Sequence, residues 1–175
     1  MKLELKHIAP YLPYGVKWKR NNYDAIYEVT GIDVLMPSIL LEFKSSSDIE
    51  YAEDEVKNGK PILRHLSSMT KKEAYDLLCL IIGIEDIGFK QSDLDYISLN
   101  YGYDVLEIEG KFPFDDYVCG TRYTINISND GIACFDTESN GAYISHSAYG
   151  YLLSKHFDIF GLIDEGVAID KTTFK

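Results

Sequence analysis

Along the chain, apolar residues shift between a period of two and a period near 3.6, and the shifts mark its elements. At the start, "HIAPYLPYG" (residues 7–15) reads as a short helical turn stopped by Pro10 and Pro13, since each proline drives the residue before it out of helical backbone. From residue 16 to about 43 the period is two. Tyr23, Ala25, Tyr27 and Val29 alternate with Asp24, Ile26, Glu28 and Thr30, as in a strand with two unlike faces. "GIDVLMPSILLEF" predicts one or two further strands, with Pro37 admissible at an edge or a bulge. The next stretch, "SSSDIEYAEDEVKNGK" (residues 45–60), is polar and acidic and contains Asn-Gly. It is expected to be an exposed loop with one short helical or strand segment, a solvated connector first and otherwise the best candidate for a mobile or partner-contacting region.

The period then lengthens. In "TKKEAYDLLCLIIG", Thr70 and Glu73 stand at capping-box spacing, Ala74, Leu77, Leu78, Ile81 and Ile82 share one face, and Gly83 supplies a stop. This predicts a helix over about 70–82 with Cys79 as a small core residue. Strand character returns from about 96 to 135. "RYTINISNDGIACFD" sets Tyr123, Ile125 and Ile127 against Thr124, Asn126 and Ser128, and Asn129, Asp130 and Gly131 tolerate the positive φ of a tight turn. A hairpin is expected there, with "YDVLEIEGKFPF" as a shorter strand and turn beside it. Beyond Ile144, Tyr149, Leu152, Leu153, His156, Phe157 and Phe160 fall at helical spacing and place His156 on an apolar stripe. Gly161 and Gly166 then predict turns that return "VAI" to the core and leave Asp164, Glu165 and Asp170 in water. The expected architecture is α+β: a mostly antiparallel sheet with one central helix (about 70–82) and a C-terminal helix (about 145–157), in a single domain over residues 1–175.

Composition supports an ordered chain: 46% of the 175 residues are apolar and 26% charged. Seventeen basic against 28 acidic residues leave a net charge of −11, which repels phosphates. The densest basic run, "KWKR" (residues 17–20), reads as a strand with alternating faces around Trp18 and not as a base-stacking platform, so no direct nucleic-acid binding is expected. Glu4, Lys6 and the early prolines interrupt any signal-peptide-like run, and no segment approaches about 20 apolar residues, so the expected location is cytoplasmic with no membrane contact. The three cysteines, Cys79, Cys119 and Cys134, are odd in number and far apart, which fits reduced thiols.

No phosphate-cradling glycine loop, dinucleotide fingerprint or paired-cysteine zinc motif occurs, and none of His7, His65, His146 and His156 has a second histidine two to four residues on. No metal or cofactor is expected. The candidates for nucleophilic catalysis are Cys119 or Cys134 with His146 or His156 as base and Asp136 or Asp158 as acid. A thiol needs such a base or a cation to lower its pKa, and "VCGTR" sets Cys119 near Arg122. Acidic pairs such as Asp115 with Asp116 and Glu107 with Glu109 have the residue types of a glycosidase, but on so acidic a chain they read as solvated surface. The 14 tyrosines cluster near glycine and proline in "PYLPYG", "YISLNYGYD" and "GAYISHSAYGYLL", which serves either a sheet core or an amphipathic contact surface.

Three segments, "LKHIAPYLPYGVK" (residues 5–17), "KPILRHLSSMT" (60–70) and "LLSKHFDIFGLIDEGVAID" (152–170), together resemble a group of small proteins encoded by phages and prophages of Bacteroidetes. That group shares a "KHLAPYLPYGL"-like start, a "KPILRPLSDL"-like middle and an "HFDVFGLIEKGLAIDINT"-like end. Here His65 replaces the group's proline, Ser68 its aspartate, and the end reads "DKTTFK". The group carries no assigned activity, so the resemblance implies a phage-derived protein acting in a bacterial cytoplasm and transfers no catalytic residue. The leading expectation is a phage or prophage accessory protein that binds another protein and is not an enzyme, its oligomeric state left open. The alternatives are an acidic inhibitor that imitates nucleic acid and a small hydrolase with a Cys/His or carboxylate site.

Overall fold

In the computed structural model the elements in chain order are α1 (Leu5–Ile8), β1 (Lys17–Arg20), β2 (Ile26–Asp33), β3 (Ser38–Lys44), β4 (Ile49–Glu55), β5 (Gly59–Leu63), α2 (Lys71–Ile82), β6 (Ser98–Gly102), β7 (Val105–Gly110), β8 (Thr121–Ser128), β9 (Gly131–Asp136), β10 (Ala142–Ile144), α3 (His146–Ser154) and β11 (Ile169–Asp170). The structure describes residues 1–36, 38–44, 49–83, 97–102, 105–110, 121–128, 131–136 and 142–173. The fold is α+β with antiparallel pairing dominant; β5 with β11 is parallel. Contacts divide the chain into two compact units, residues 1–65 with 153–175, and residues 66–152.

The first unit is built on a six-stranded sheet in the order β11-β5-β1-β2-β3-β4. Alternation works here as expected for buried Trp18, Tyr27, Val29, Ile39 and Leu41, whose side chains form one inward face. It breaks once, at Thr30: Val29 pairs with Leu41 and Gly31 with Leu40, so one extra residue bulges out of β2 and resets its faces. Trp18 is fully buried beside Gly59, where a β-carbon would stand 2.3 Å from the indole nitrogen and 2.6 Å from the Lys19 carbonyl. Only a residue with no side chain fits that crossing.

Three expectations are corrected in this unit. Pro10 and Pro13 do not stop the helix, because after α1 the chain winds on as a 3₁₀ helix, Ala9–Tyr14, through both, ending at left-handed Gly15 (φ 67°). Pro10 stands at the helix start, where proline has no hydrogen bond to forfeit, while Pro13 lies inside the 3₁₀ segment one residue from its end. Residues 45–60 are not one loop: residues 45–48 lie outside the described residues, and β4 pairs with β3 over seven positions from Ser38↔Glu55 to Lys44↔Ile49. Acidic residues are poor strand formers in general but are frequent on edge strands, which hides β4 from a propensity reading.

The third correction concerns the C-terminal helix. It ends at Ser154, and His156 has φ 58°, left-handed backbone that no helical stripe contains. The His156 Nε2–H donates to the Tyr14 carbonyl (2.8 Å), and Arg64 N–H donates to the His156 carbonyl (2.7 Å). The Tyr11 hydroxyl donates to the carbonyl of fully buried Phe157 (2.7 Å). Asp158, itself buried, accepts from the Phe160 (3.2 Å) and Ile163 (2.7 Å) amides, and Gly161 and Gly166 turn the chain at φ 68° and 69°. Ala168 then returns to the core and Ile169 pairs with Ile62, while Asp164 and Glu165 stay exposed.

The second unit carries the five-stranded sheet β10-β9-β8-β7-β6 and the two longer helices. Thr70 Oγ1 accepts from the Glu73 amide (3.2 Å) while the Glu73 carboxylate accepts from the Thr70 amide (2.9 Å), so the capping box forms as spaced. Gly83 closes α2 at φ 76°, and Ala74, Leu77, Leu78, Cys79 and Ile81 are buried. The predicted hairpin is β8 with β9, closing at Ser128↔Gly131; its turn residues Asn129 and Asp130 lie outside the described residues, as does Pro37. The Ser145 hydroxyl accepts from the Ala148 amide (3.2 Å) and starts α3.

Candidate functional site

Of the proposed catalytic residues, Cys119, Asp115 and Asp116 lie outside the described residues. Cys134 sits on β9 with its backbone between Ile125 of β8 and Tyr143 of β10, and the backbone of Asp136 on the same strand pairs with that of Tyr123. His146 is exposed at the first position of α3. His156 and Asp158, the other base and acid considered, are both occupied with backbone groups, His156 with the Tyr14 carbonyl and Asp158 with the Phe160 and Ile163 amides. Burial holds the His156 imidazole below the usual histidine range and pushes the Asp158 carboxyl up. Glu109 is paired across the strands with Arg122 (3.0 Å). No group of three or more His, Cys, Asp or Glu side chains able to hold a metal occurs among the described residues, and no helix among them is long and apolar enough to cross a membrane.

What the first unit does present is apolar surface where the pattern promised strand interior. Asp33 ends β2 and accepts at one carboxylate oxygen from the amides of Leu35 (2.8 Å) and Met36 (3.1 Å), forming an Asx turn. The turn lifts Val34, Leu35 and Met36 off the sheet, with 76%, 94% and 65% of their surface exposed. Just beyond, Leu40 stands exposed on the outward face of β3 over Gly31, where a β-carbon would come within 3.1 Å of it. On β4 the same face carries Ile49 and Tyr51, Tyr51 with 71% exposed, and Leu40 and Tyr51 are diagonal neighbours because Leu40 pairs with Glu53. Scattered single apolar residues on a surface need no explanation, but six on one hairpin and its neighbouring strand do.

Charges around this face are held in place. Asp54, on the inward side of β4, is buried and accepts from Arg20 Nε (2.7 Å) and Asn58 Nδ2 (2.8 Å). The Arg20 guanidinium also lies over the Tyr23 ring at 4.4 Å. Glu53 on the outward side accepts from the Ser38 hydroxyl (2.6 Å). A cleft of about 400 Å³ opens next to Glu55, lined also by Lys2, Glu4, Lys6, Val56 and Lys57. Its charges pair off as Lys6 with Glu4 (3.2 Å) and Lys57 with Glu55 (2.7 Å), so it aims no concentrated charge at a ligand.

Residues 34–36 were missed because an apolar triplet between two strand-like runs reads as core; the signal that marks them is Asp33 before and Pro37 after, a turn-forming acid and a strand breaker. Comparison of the chain with protein-family models, with curated proteins and with solved structures finds no match.

Proposed function

We propose that this chain is a phage- or prophage-derived accessory protein that works by binding another protein, through the 34–36 tip and the outward face of β3 and β4. The observation that carries the reading is the near-complete exposure of Leu35 together with Val34 and Met36 on a turn pinned by Asp33. A pinned turn holds these side chains toward solvent without losing much order on binding, which is how rigid apolar anchors gain affinity. Tyr51 adds an amphipathic ring of the kind enriched in interface centres. The test is a photo-crosslinking amino acid placed at position 35, 51 or 71, the last an exposed site on α2, in protein incubated with Bacteroidetes lysate. The same discrete polypeptide adduct is expected from 35 and 51 and not from 71. Equal labelling from all three, or none from 35 and 51, would remove the reading.

A further inference from the structure

Strand β4 ends the sheet of the first unit: β3 pairs with one of its edges, and no described strand pairs with the other. In an antiparallel ladder alternate residues direct both their N–H and C=O away from the partner strand, so β4 turns a row of donors and acceptors outward along its seven residues. All but Ala52 and Asp54 of its side chains are exposed. Such an edge is a template for one more strand.

Charge decides which strand. Glu50, Glu53, Asp54 and Glu55 lie on β4, and no basic residue does. Two copies paired antiparallel about Ala52 would set Tyr51 against Glu53 twice and Glu50 against Asp54 twice; Asp54 is already held by Arg20, but the exposed Glu50 and Glu53 carboxylates of both copies would crowd along one edge with no basic residue on either strand. A second copy is disfavoured on that ground. A strand bearing lysine or arginine meets the reverse situation, with the Glu53 carboxylate on the outward face, Glu55 beside it shared with Lys57 (2.7 Å), and apolar footing at Ile49 and Tyr51 on that same face. We infer that β4 accepts an extended segment of the partner protein as an added edge strand, with an aliphatic residue beside Tyr51 and a basic residue beside Glu53 that can also share Glu55 with Lys57. The Arg20–Asp54–Asn58 network anchors the end of β4 to β1 and its following turn, so the template is rigid before the segment arrives.

This inference rests on the protein-binding reading, and its test separates the two. The full chain is titrated with a blocked ten-residue peptide alternating lysine with valine and isoleucine, followed by amide exchange and amide chemical shifts. Alternate amides of residues 49–55 gain protection, those of edge strand β6 in the other unit do not, and N-methylation of alternate peptide amides abolishes binding. Glu53→Lys with Glu55→Lys weakens the lysine peptide by roughly tenfold or more and admits its glutamate counterpart, while the milder Glu53→Gln with Glu55→Gln gives an intermediate loss in a chain whose remaining amide shifts are unchanged. Binding that leaves the β4 amides unprotected or survives N-methylation, or no binding at all, overturns the added-strand inference; adducts from position 35 would still uphold the protein-binding reading by itself.

Discussion

His156 shows how a single backbone angle changes what a residue does. Its left-handed φ of 58° suits asparagine and glycine but costs other residues about 1–2 kcal/mol, more when the side chain is β-branched. His156→Asn is therefore expected to be tolerated, whereas His156→Val loses roughly 2 kcal/mol more in a denaturant melt. A helical-stripe histidine would show the reverse preference for apolar replacement. Its titration has a sign as well. The imidazoles of His7 and His156 are both held below 6.5, chiefly by burial, so the unfolded chain binds these protons more tightly. Their contribution is complete above about pH 6.5 and is lost as the pH falls through the lowered folded-state values. His7 adds a geometric reason, since its Nδ1 accepts from the Glu4 amide and cannot do so once protonated. Asp158 runs the other way: its raised pKa favours the fold in acid, and that share fades as the pH rises from 3.8 through the raised value. Melts of His156→Asn between pH 7.5 and 5.5 are expected to show a shallower acid loss than the parent chain. Gly59→Ala, which forces a β-carbon into Trp18 and the Lys19 carbonyl, is expected to cost roughly 3 kcal/mol.

At the scale of elements, what was legible followed from local rules that the rest of the fold did not contest. Helix α2 carries its own start, face and stop, so Thr70→Ala is expected to cost about 1 kcal/mol by calorimetry and to leave the β8–β9 hairpin unaffected. The hairpin likewise needs only alternation and a turn. Strand β4 was not legible because its pairing with β3 is a tertiary fact while its composition is that of a solvated connector. The end of α3 was hidden for a related reason: Leu152, Leu153 and Phe157 are all buried, yet Phe157 reaches the core from a turn that Tyr11 and Arg64 hold, not from a helix. Leu40 was hidden because Ile39, Leu40 and Leu41 are apolar in succession, so no alternation in β3 marks Leu40 as pointing outward. Arg20→Ala tests the link between β4 and β1, since it leaves the buried Asp54 carboxylate with Asn58 but no cation, at a cost of roughly 3 kcal/mol.

For the whole molecule, the net charge of −11 disfavours phosphate-bearing partners, and many exposed carboxylates are already committed to nearby bases, as in Lys17–Glu28 (2.6 Å), Lys72–Asp76 (2.6 Å) and Arg122–Glu109 (3.0 Å). Such pairs contribute little to stability, about 0–1 kcal/mol each; among the described residues, the outward face of β4 sets Glu53 and the Lys57-paired Glu55 beside uncovered Ile49 and Tyr51. The proposed binding surface therefore lies at the 34–36 tip and along β4. The most direct measurement is quantitative capture of the crosslinked polypeptide by three forms of the chain: the parent, Leu35→Asp with Tyr51→Ser, and Lys71→Ala. The double substitution is expected to reduce capture by roughly tenfold or more at unchanged thermal stability, while Lys71→Ala matches the parent. Equal capture by all three forms would contradict a binding role for this face.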